Sequence, residues 1–398
     1  MIKLAILGFG VVGTGVADLF MQNQSTIQKN AGQAIELSAI LDLRDLSDSP
    51  YHPLQVTDFS IIESDPHIQV VVECMGGKTA AYEFTKRALL AKKSVVTSNK
   101  ELIAYHGPEL FALAAQMGVH YLFEASVGGG TPIIRPIRNC LASNQLTEIY
   151  GILNGTTNFM LSQMEKEGAT FKEALVQAQK RGYAESDPTA DIEGHDAARK
   201  ISILASLAFS THIHPDSIAT MGLSNVDISD ILIAQQAGYS IKLLACSKVL
   251  KDGSFSVYVA PHLIENSQLL SQVDNVQNAV LVKGNALGEV LFYGPGAGAY
   301  PTASAILSDV ISVVAGTVTP TLPWTSGTET NMADFQNLPQ TWYIRCPKDK
   351  KHLFDCIKVL PSTHTTDFAC TLGPISYAQL LPKLEEASAF CAIPLWNA

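Results

Sequence analysis

The stretch "LGFGVVGTG" (residues 7–15) constrains the fold more than any other part of the chain. It sets Gly8, Gly10 and Gly13 in G-x-G-x-x-G spacing, directly after the apolar run "IKLAIL" (2–7) and at the start of a helical stretch from about Val11 to Ile27. Between a strand and a helix, the first glycine allows a tight turn and the second lets a pyrophosphate approach the backbone. The third lets helix and strand pack closely, and the helix N-terminus faces the phosphates. Four further strands are expected at "AIELSAILD" (34–42), "QVVVEC" (69–74), "KSVVTS" (93–98) and "VHYLFEA" (119–125), with helical stretches near 79–91 and 107–117. This alternation predicts an α/β domain of Rossmann type, a doubly wound parallel sheet covered on both faces.

At the end of the second strand, Asp42 is placed to take ribose hydroxyls, which favours NAD. Arg44, two residues on, is placed to meet a 2′-phosphate, which favours NADP. The two residues argue against each other, so the cofactor is NADP or NAD at this point.

Beyond residue 135 the pattern changes. Strand-like runs at 146–155, 241–249, 255–264 and 279–294 are mixed with helical stretches after Thr156, near 170–181 and from about Gly194. This predicts an α+β domain with an antiparallel sheet over 136–300. A helix with proline near its start (301–318) is expected to complete the dinucleotide-binding domain of 1–135. Residues 317–340, rich in Pro, Thr and Asn, are expected to be a linker. Residues 341–398 are expected to be a small strand–helix–strand–helix module, with one helix over "KKHLFDCIKVL" (350–360).

Composition limits the function. The 398 residues carry a net charge of -10 with no Lys/Arg-rich run, which argues against a nucleic-acid partner. No apolar stretch is long enough for a membrane span, and no cleavage site follows the N-terminal apolar run. The seven cysteines are odd in number and lack C-x-x-C spacing, so reduced thiols in a cytoplasmic protein are expected.

Residues 181–200, "RGYAESDPTADIEGHDAARK", gather Glu185, Asp187, Asp191, Glu193 and Asp196 just before Lys200 and the apolar run "ISILASLAF". Asp196 and Lys200 are one helical turn apart and share a face, which an ordinary i,i+4 ion pair would explain. The other acids need a further cation, and a substrate ammonium would serve. A second lysine, Lys100 in "VVTSNKE", lies just past a strand end, where ligands bind in parallel sheets. A lysine whose pKa is lowered can take the proton of an alcohol during hydride transfer.

"AQKRGYAESDPTADIEGHDAARK" (178–200), "GILNGTTNFM" (151–160) and "GPGAGAYPTASA" (294–305) resemble the homoserine dehydrogenase family, and the resemblance spans about residues 1–318. It implies reversible oxidation of L-homoserine to L-aspartate 4-semialdehyde, a step toward threonine, methionine and isoleucine. By the same resemblance Lys200 is the catalytic acid/base and Lys100 lies between cofactor and substrate. Glu185 and Asp196 bind homoserine, with Asp191, Tyr183, Gly155 and Thr156 nearby. The implied cofactor set is Gly8, Gly10, Val11, Val12, Gly13, Arg44, Met75, Ser98, Lys100, Gly296 and Gly298. "EASVGGGT" resembles a monovalent-cation loop in which Glu124, Val127, Gly129 and Thr131 would bind Na⁺, mostly through backbone carbonyls. The resemblance also implies that the 136–300 domain binds the substrate and builds a homodimer. Many members end in a βαββαβ regulatory module. Residues 341–398 carry only part of that pattern, so a degenerate, ACT-like module used for packing stands beside an inhibitor site.

Two rivals remain. An acylating aldehyde dehydrogenase needs a thiolate, yet Gly155 stands where its cysteine should be. A non-catalytic dinucleotide sensor would have no use for Lys200.

Overall fold

The computed structural model describes residues 1–319, 324, 331–362 and 364–396, so much of the expected linker lies outside the described residues. The chain divides into two compact units. One joins Met1–Gln145, Ser202–Pro215 and Gly294–Gly327; the other joins Leu146–Ile201, Asp216–Tyr293 and Thr328–Ala398.

The first unit holds β1 (Ile2–Leu7), β2 (Ile35–Leu41), β3 (Gln55–Val56), β4 (Ile68–Glu73), β5 (Ser94–Thr97) and β6 (Tyr121–Leu122). They form a sheet in the order β3-β2-β1-β4-β5-β6, parallel throughout. Leu4 to Leu7 of β1 are fully buried, as a parallel strand covered on both faces requires. Its helices are α1 (Val11–Gln22), α2 (Gln24–Ala31), α3 (Phe59–Ser64), α4 (Thr79–Leu90) and α5 (Lys100–Met117). The single helix expected over 11–27 is two, parted at Asn23.

The second unit carries β7 (Leu146–Ile152), β8 (Ala219–Thr220), β9 (Tyr239–Val249), β10 (Phe255–Glu265), β11 (Gln277–Gly284) and β12 (Gly288–Pro295), in the order β12-β11-β7-β9-β10-β8. Its sheet is mixed rather than antiparallel throughout, because the short β8 joins β10 in parallel. Helices α6 (Gly155–Glu167), α7 (Phe171–Lys180), α8 (Thr189–Ile192), α9 (His195–Phe209) and α10 (Ile228–Ala237) follow the chain order, and α10 was not foreseen. In the first unit, α11 (Ala299–Val314) packs on α1 so closely that a Cβ on Gly15 would meet Ala299 O at 2.9 Å.

The C-terminal segment forms β13 (Pro339–Pro347), β14 (Cys356–Val359), β15 (Asp367–Ser376) and β16 (Cys391–Pro394), antiparallel in the order β14-β15-β13-β16, with α12 (Tyr377–Ala387). The helix expected over 350–360 does not form. A 3₁₀ turn, Lys348–Leu353, leads into edge strand β14, whose β-branched Ile357 and Val359 suit a strand. Two cysteines also differ from expectation, since Cys356 and Cys370 are joined by a disulfide between neighbouring strands.

Trp342 and Ile344 of β13 join Tyr150, Cys246 and Tyr258 of the six-stranded sheet in one apolar cluster. The alternate residues turn the other way. Tyr343 and Arg345 both reach the fully buried Asp230 of α10, at 2.7 Å each, and Arg345 also bonds Asp367 at 3.1 Å. Removing the guanidinium leaves a buried charge without its counter-ion. Arg345→Ala should therefore cost about 3–5 kcal/mol of stability in urea denaturation, whereas breaking the exposed Lys86–Glu109 pair should leave the urea midpoint nearly unchanged.

Candidate active site

In the first unit, the turn after β1 carries Gly8 at φ +87, a conformation that favours glycine. A Cβ on Gly13 would sit 2.0 Å from Gly8 O, so α1 can approach the strand only because residue 13 lacks a side chain. Gly10 is different. Among the described residues nothing lies within 4 Å of where its Cβ would be, which leaves the open space a phosphate needs. Gly10 caps α1 without a side-chain bond, so the first N–H groups of the helix, from Val11 and Val12, remain available to an anion.

Asp42 does not point outward. Its carboxylate accepts from Phe9 N at 2.7 Å and from Arg44 N, Nε and Nη2 at 2.9, 3.0 and 2.7 Å. The Arg44 guanidinium holds this carboxyl well below the usual range, and the Arg44 side chain is itself 65% exposed.

At the end of β4, Glu73 is fully buried. It accepts from Met75 N at 2.7 Å and from Thr97 Oγ1 at 2.5 Å, and Thr97 Oγ1 in turn accepts from Asn99 N at 2.9 Å. Asn99 caps α5, accepting from Leu102 N at 3.1 Å and donating to Gly77 O at 2.7 Å. Lys100 is the first residue of that helix, so the buried carboxyl fixes the turn that presents it. Met75 lies against the glycine turn, since a Cβ on Gly8 would meet Met75 Cγ at 2.9 Å. Ser98 N donates to Glu73 O at 3.4 Å.

Two glycine turns lie against each other in the same unit. A Cβ on Gly129 would be 2.5 Å from Gly296 O, and Gly130 N donates to Pro295 O at 3.0 Å. Gly298, at φ +118, opens α11. The Glu124 carboxylate is fully engaged. It accepts from Ile133 N (2.7 Å), Ile134 N (3.0 Å) and Arg135 N (2.7 Å). Thr131 N donates to Gly128 O at 2.8 Å. Among the described residues no group of His, Cys, Asp and Glu is arranged to hold a metal ion.

In the second unit, Lys200 of α9 is only 9% exposed. Its Nζ lies 2.9 Å from Asp196 Oδ2 and donates to Leu153 O at 2.6 Å. Asn154 Nδ2 donates to Asp196 Oδ2 at 3.0 Å and to Asp191 Oδ1 at 2.7 Å. Asp191, Asp196, Lys200 and the end of "ILN" thus meet at one place. Thr156 Oγ1 donates to Tyr183 O at 2.6 Å, tying the start of α6 to the acidic loop. Gly155 opens α6, and a Cβ there would be 3.0 Å from Val276 O.

The five acids divide by task. Asp187 accepts from Thr189 N and Oγ1 at 3.1 and 2.6 Å, just ahead of α8, and Glu193 accepts from Ser224 Oγ. Glu185 is exposed, and Asp191 and Asp196 converge on Asn154. Sequence reasoning missed Asn154, Glu73 and Asn99. Both asparagines stand directly before a helix, an N-cap signal that could have found them.

A nucleotide-binding turn on a parallel sheet, with a second unit gathering carboxylates about a buried lysine, defines a nicotinamide-dependent dehydrogenase of a small polar alcohol. Residues 132–311 match the family described as homoserine dehydrogenase, and residues 8–124 match its NAD-binding domain. The chain is 45% identical to the homoserine dehydrogenase of Synechocystis sp. and 41% identical to that of Bacillus subtilis, each match covering 79% of this chain and 73% of the relative. Among solved structures, a homoserine dehydrogenase from Thiobacillus denitrificans superposes with a TM-score of 0.91 at 32% identity, covering 100% of this chain and 98% of the other. A hyperthermophilic archaeal homoserine dehydrogenase in complex with NADPH gives a TM-score of 0.67 at 28% identity, covering 81% and 99%. The chain belongs to the homoserine dehydrogenase family, NAD(P)-dependent oxidoreductases acting on a CH–OH group. The aldehyde-dehydrogenase rival fails with it. Gly155 offers no nucleophile, and burial pushes the Cys74, Cys246, Cys346 and Cys391 thiols up, away from the thiolate form.

Burial pushes the Glu73 carboxyl up to about 7 from an ordinary 4.5, against the opposing pull of its hydrogen bonds. An unfolded Glu73 gives up its proton near 4.5 and the folded one near 7. Stability from this group is therefore full below 4.5, falls as pH rises through that window, and is level above it, a loss of about 3 kcal/mol at most. Glu73→Gln, which cannot ionise, should gain stability over the parent at pH 8 and show little gain at pH 5. Equal differences in urea midpoint at both pH values would contradict this.

Proposed function

We propose that Lys200 is the acid/base of the reversible oxidation of L-homoserine to L-aspartate 4-semialdehyde, with Lys100 as the second lysine of the catalytic set. One observation carries this reading. Lys200 is buried beside a carboxylate and a strand-end carbonyl that together fix its Nζ. In oxidation the amine takes the hydroxyl proton. In reduction the ammonium returns it to the oxygen as charge develops there. When bound, the nicotinamide cofactor accepts or delivers the hydride. Glu185, Asp196 and Asp191 offer negative charge to the substrate ammonium, with Tyr183 nearby. The substrate carboxylate is assigned to the opening N–H groups of α6, at Gly155 and Thr156.

Gly8, Gly10, Val11, Val12, Gly13, Met75, Ser98, Gly296 and Gly298 are assigned to the cofactor. NADP is the preferred form. Asp42 is turned inward and neutralised, while Arg44 keeps an exposed guanidinium for a 2′-phosphate. Na⁺ is assigned to the backbone carbonyls of Glu124, Val127, Gly129 and Thr131, since the Glu124 carboxylate already serves three N–H groups. We assign the C-terminal sheet to packing, as a degenerate ACT-like module whose first helix is a 3₁₀ turn. A cytoplasmic homodimer completes the reading, and light scattering tests the dimer. Among the described residues no helix is long and apolar enough to cross a membrane.

Lys200→Ala should lower kcat about 10³-fold while NADP⁺ still binds, checked by steady-state rates and fluorescence titration. Near-normal turnover would instead favour a dinucleotide sensor. Arg44→Ala should raise the KM for NADP⁺ about tenfold and leave that for NAD⁺ within about twofold. Equal effects on both cofactors would remove the 2′-phosphate assignment.

A further inference from the structure

We infer that Asn154 is a positioning residue for the reaction, a neutral bracket that sets the two substrate-facing carboxylates and, through one of them, Lys200. The inference rests on the acid/base assignment of Lys200. Asn154 is 6% exposed and uses both ends of its amide. Its Oδ1 caps α6, accepting from Thr157 N at 2.8 Å and Thr157 Oγ1 at 2.9 Å. That fixes the flip of the amide, so Nδ2 must face the acids. One N–H goes to Asp191 Oδ1 at 2.7 Å and the other to Asp196 Oδ2 at 3.0 Å. Asp196 Oδ2 is also the oxygen 2.9 Å from Lys200 Nζ. The preceding carbonyl, Leu153 O, accepts a hydrogen bond from the same ammonium at 2.6 Å.

Two neighbouring residues at one strand end therefore place the acids and the lysine together. An amide suits the task better than any charged group. A cation here would compete with Lys200 and with a substrate ammonium for the acids. A carboxylate would add like charge to Asp191 and Asp196. Only a neutral double donor holds two carboxylates and leaves their negative charge for the substrate.

Capping and bracketing can be separated. Asn154→Asp keeps an oxygen to cap α6 but exchanges the donor for an acceptor. Asp191→Asn in the same chain restores one bond with its direction reversed. The variants are Asn154→Asp, Asp191→Asn, the pair together, and Lys200→Ala. For each, kcat and KM for homoserine and KM for NADP⁺ are measured, with rates normalised to the fraction that binds NADP⁺ so that partial unfolding does not imitate the effect. Asn154→Asp should lower kcat/KM for homoserine about 100-fold, with losses in both kcat and KM, while KM for NADP⁺ stays within about twofold. The double variant should be about tenfold or more as active as multiplying the two single losses would leave it. Asn154→Asp within about threefold of the parent, or losses that simply multiply, would overturn the bracket. If Lys200→Ala is inactive in that case, only the role of Asn154 is lost. If Lys200→Ala turns over normally, the acid/base assignment itself fails.

Discussion

A buried ammonium must be met by groups that replace its water, and in the second unit this requirement organises everything around Lys200. One carboxylate oxygen and one strand-end carbonyl meet it. The carboxylate is held in turn by an amide that also starts the next helix. Strand β7, helix α6 and helix α9 are thereby fixed to one another by polar contacts at a single point. Each partner has to be rigid, because an unpaired buried charge costs several kcal/mol, about the stability margin of a domain.

The first unit solves a different problem, that of bringing backbone close to an anion. Glycine absence of side chain is used there in two ways. Gly13 is required by the protein's own packing, whereas Gly10 leaves space that none of the described residues fills. Around that turn the charges are paired off beforehand. Asp42 is spent on Phe9 N and Arg44, and Glu73 is buried on Thr97 and Met75 N. What stays presented is the set of N–H groups opening α1 and the outer edge of the Arg44 guanidinium that Asp42 leaves exposed, both suited to phosphate.

The legibility of the sequence followed the range of the interactions. The glycine turn and the Asp196–Lys200 pair rest on contacts within a few residues, and each parallel strand announces itself as a local apolar run, so all were visible. The i,i+4 spacing alone, however, could not separate a surface ion pair from a buried one; Leu153 O, 47 residues away in the chain, makes that distinction. Asn154 went unnoticed because its partners lie 37 and 42 residues on. The stretch 350–360 was misassigned because its lysines and leucines favour helix locally, while pairing with β15 decides for a strand. The Cys356–Cys370 bridge depends on the same pairing, and no spacing rule announces it.

The C-terminal sheet shows how alternation can serve two interiors at once. In β13, Trp342, Ile344 and Cys346 enter an apolar cluster with the six-stranded sheet, and Tyr343 and Arg345 on the opposite face enter the polar network on Asp230. A strand buried on both faces usually reads as a continuous apolar run. Here one face is apolar and the other is charged but fully paired, so the sequence "TWYIRC" has the alternation of a half-exposed strand. The tyrosine hydroxyl and the guanidinium both converge on one carboxylate, and this satisfies three polar side chains with few bonds. With both faces of β13 occupied by the rest of its own unit, the segment is held in place by the same packing that excludes water from it, and α10 becomes as much a part of this sheet's interior as α12.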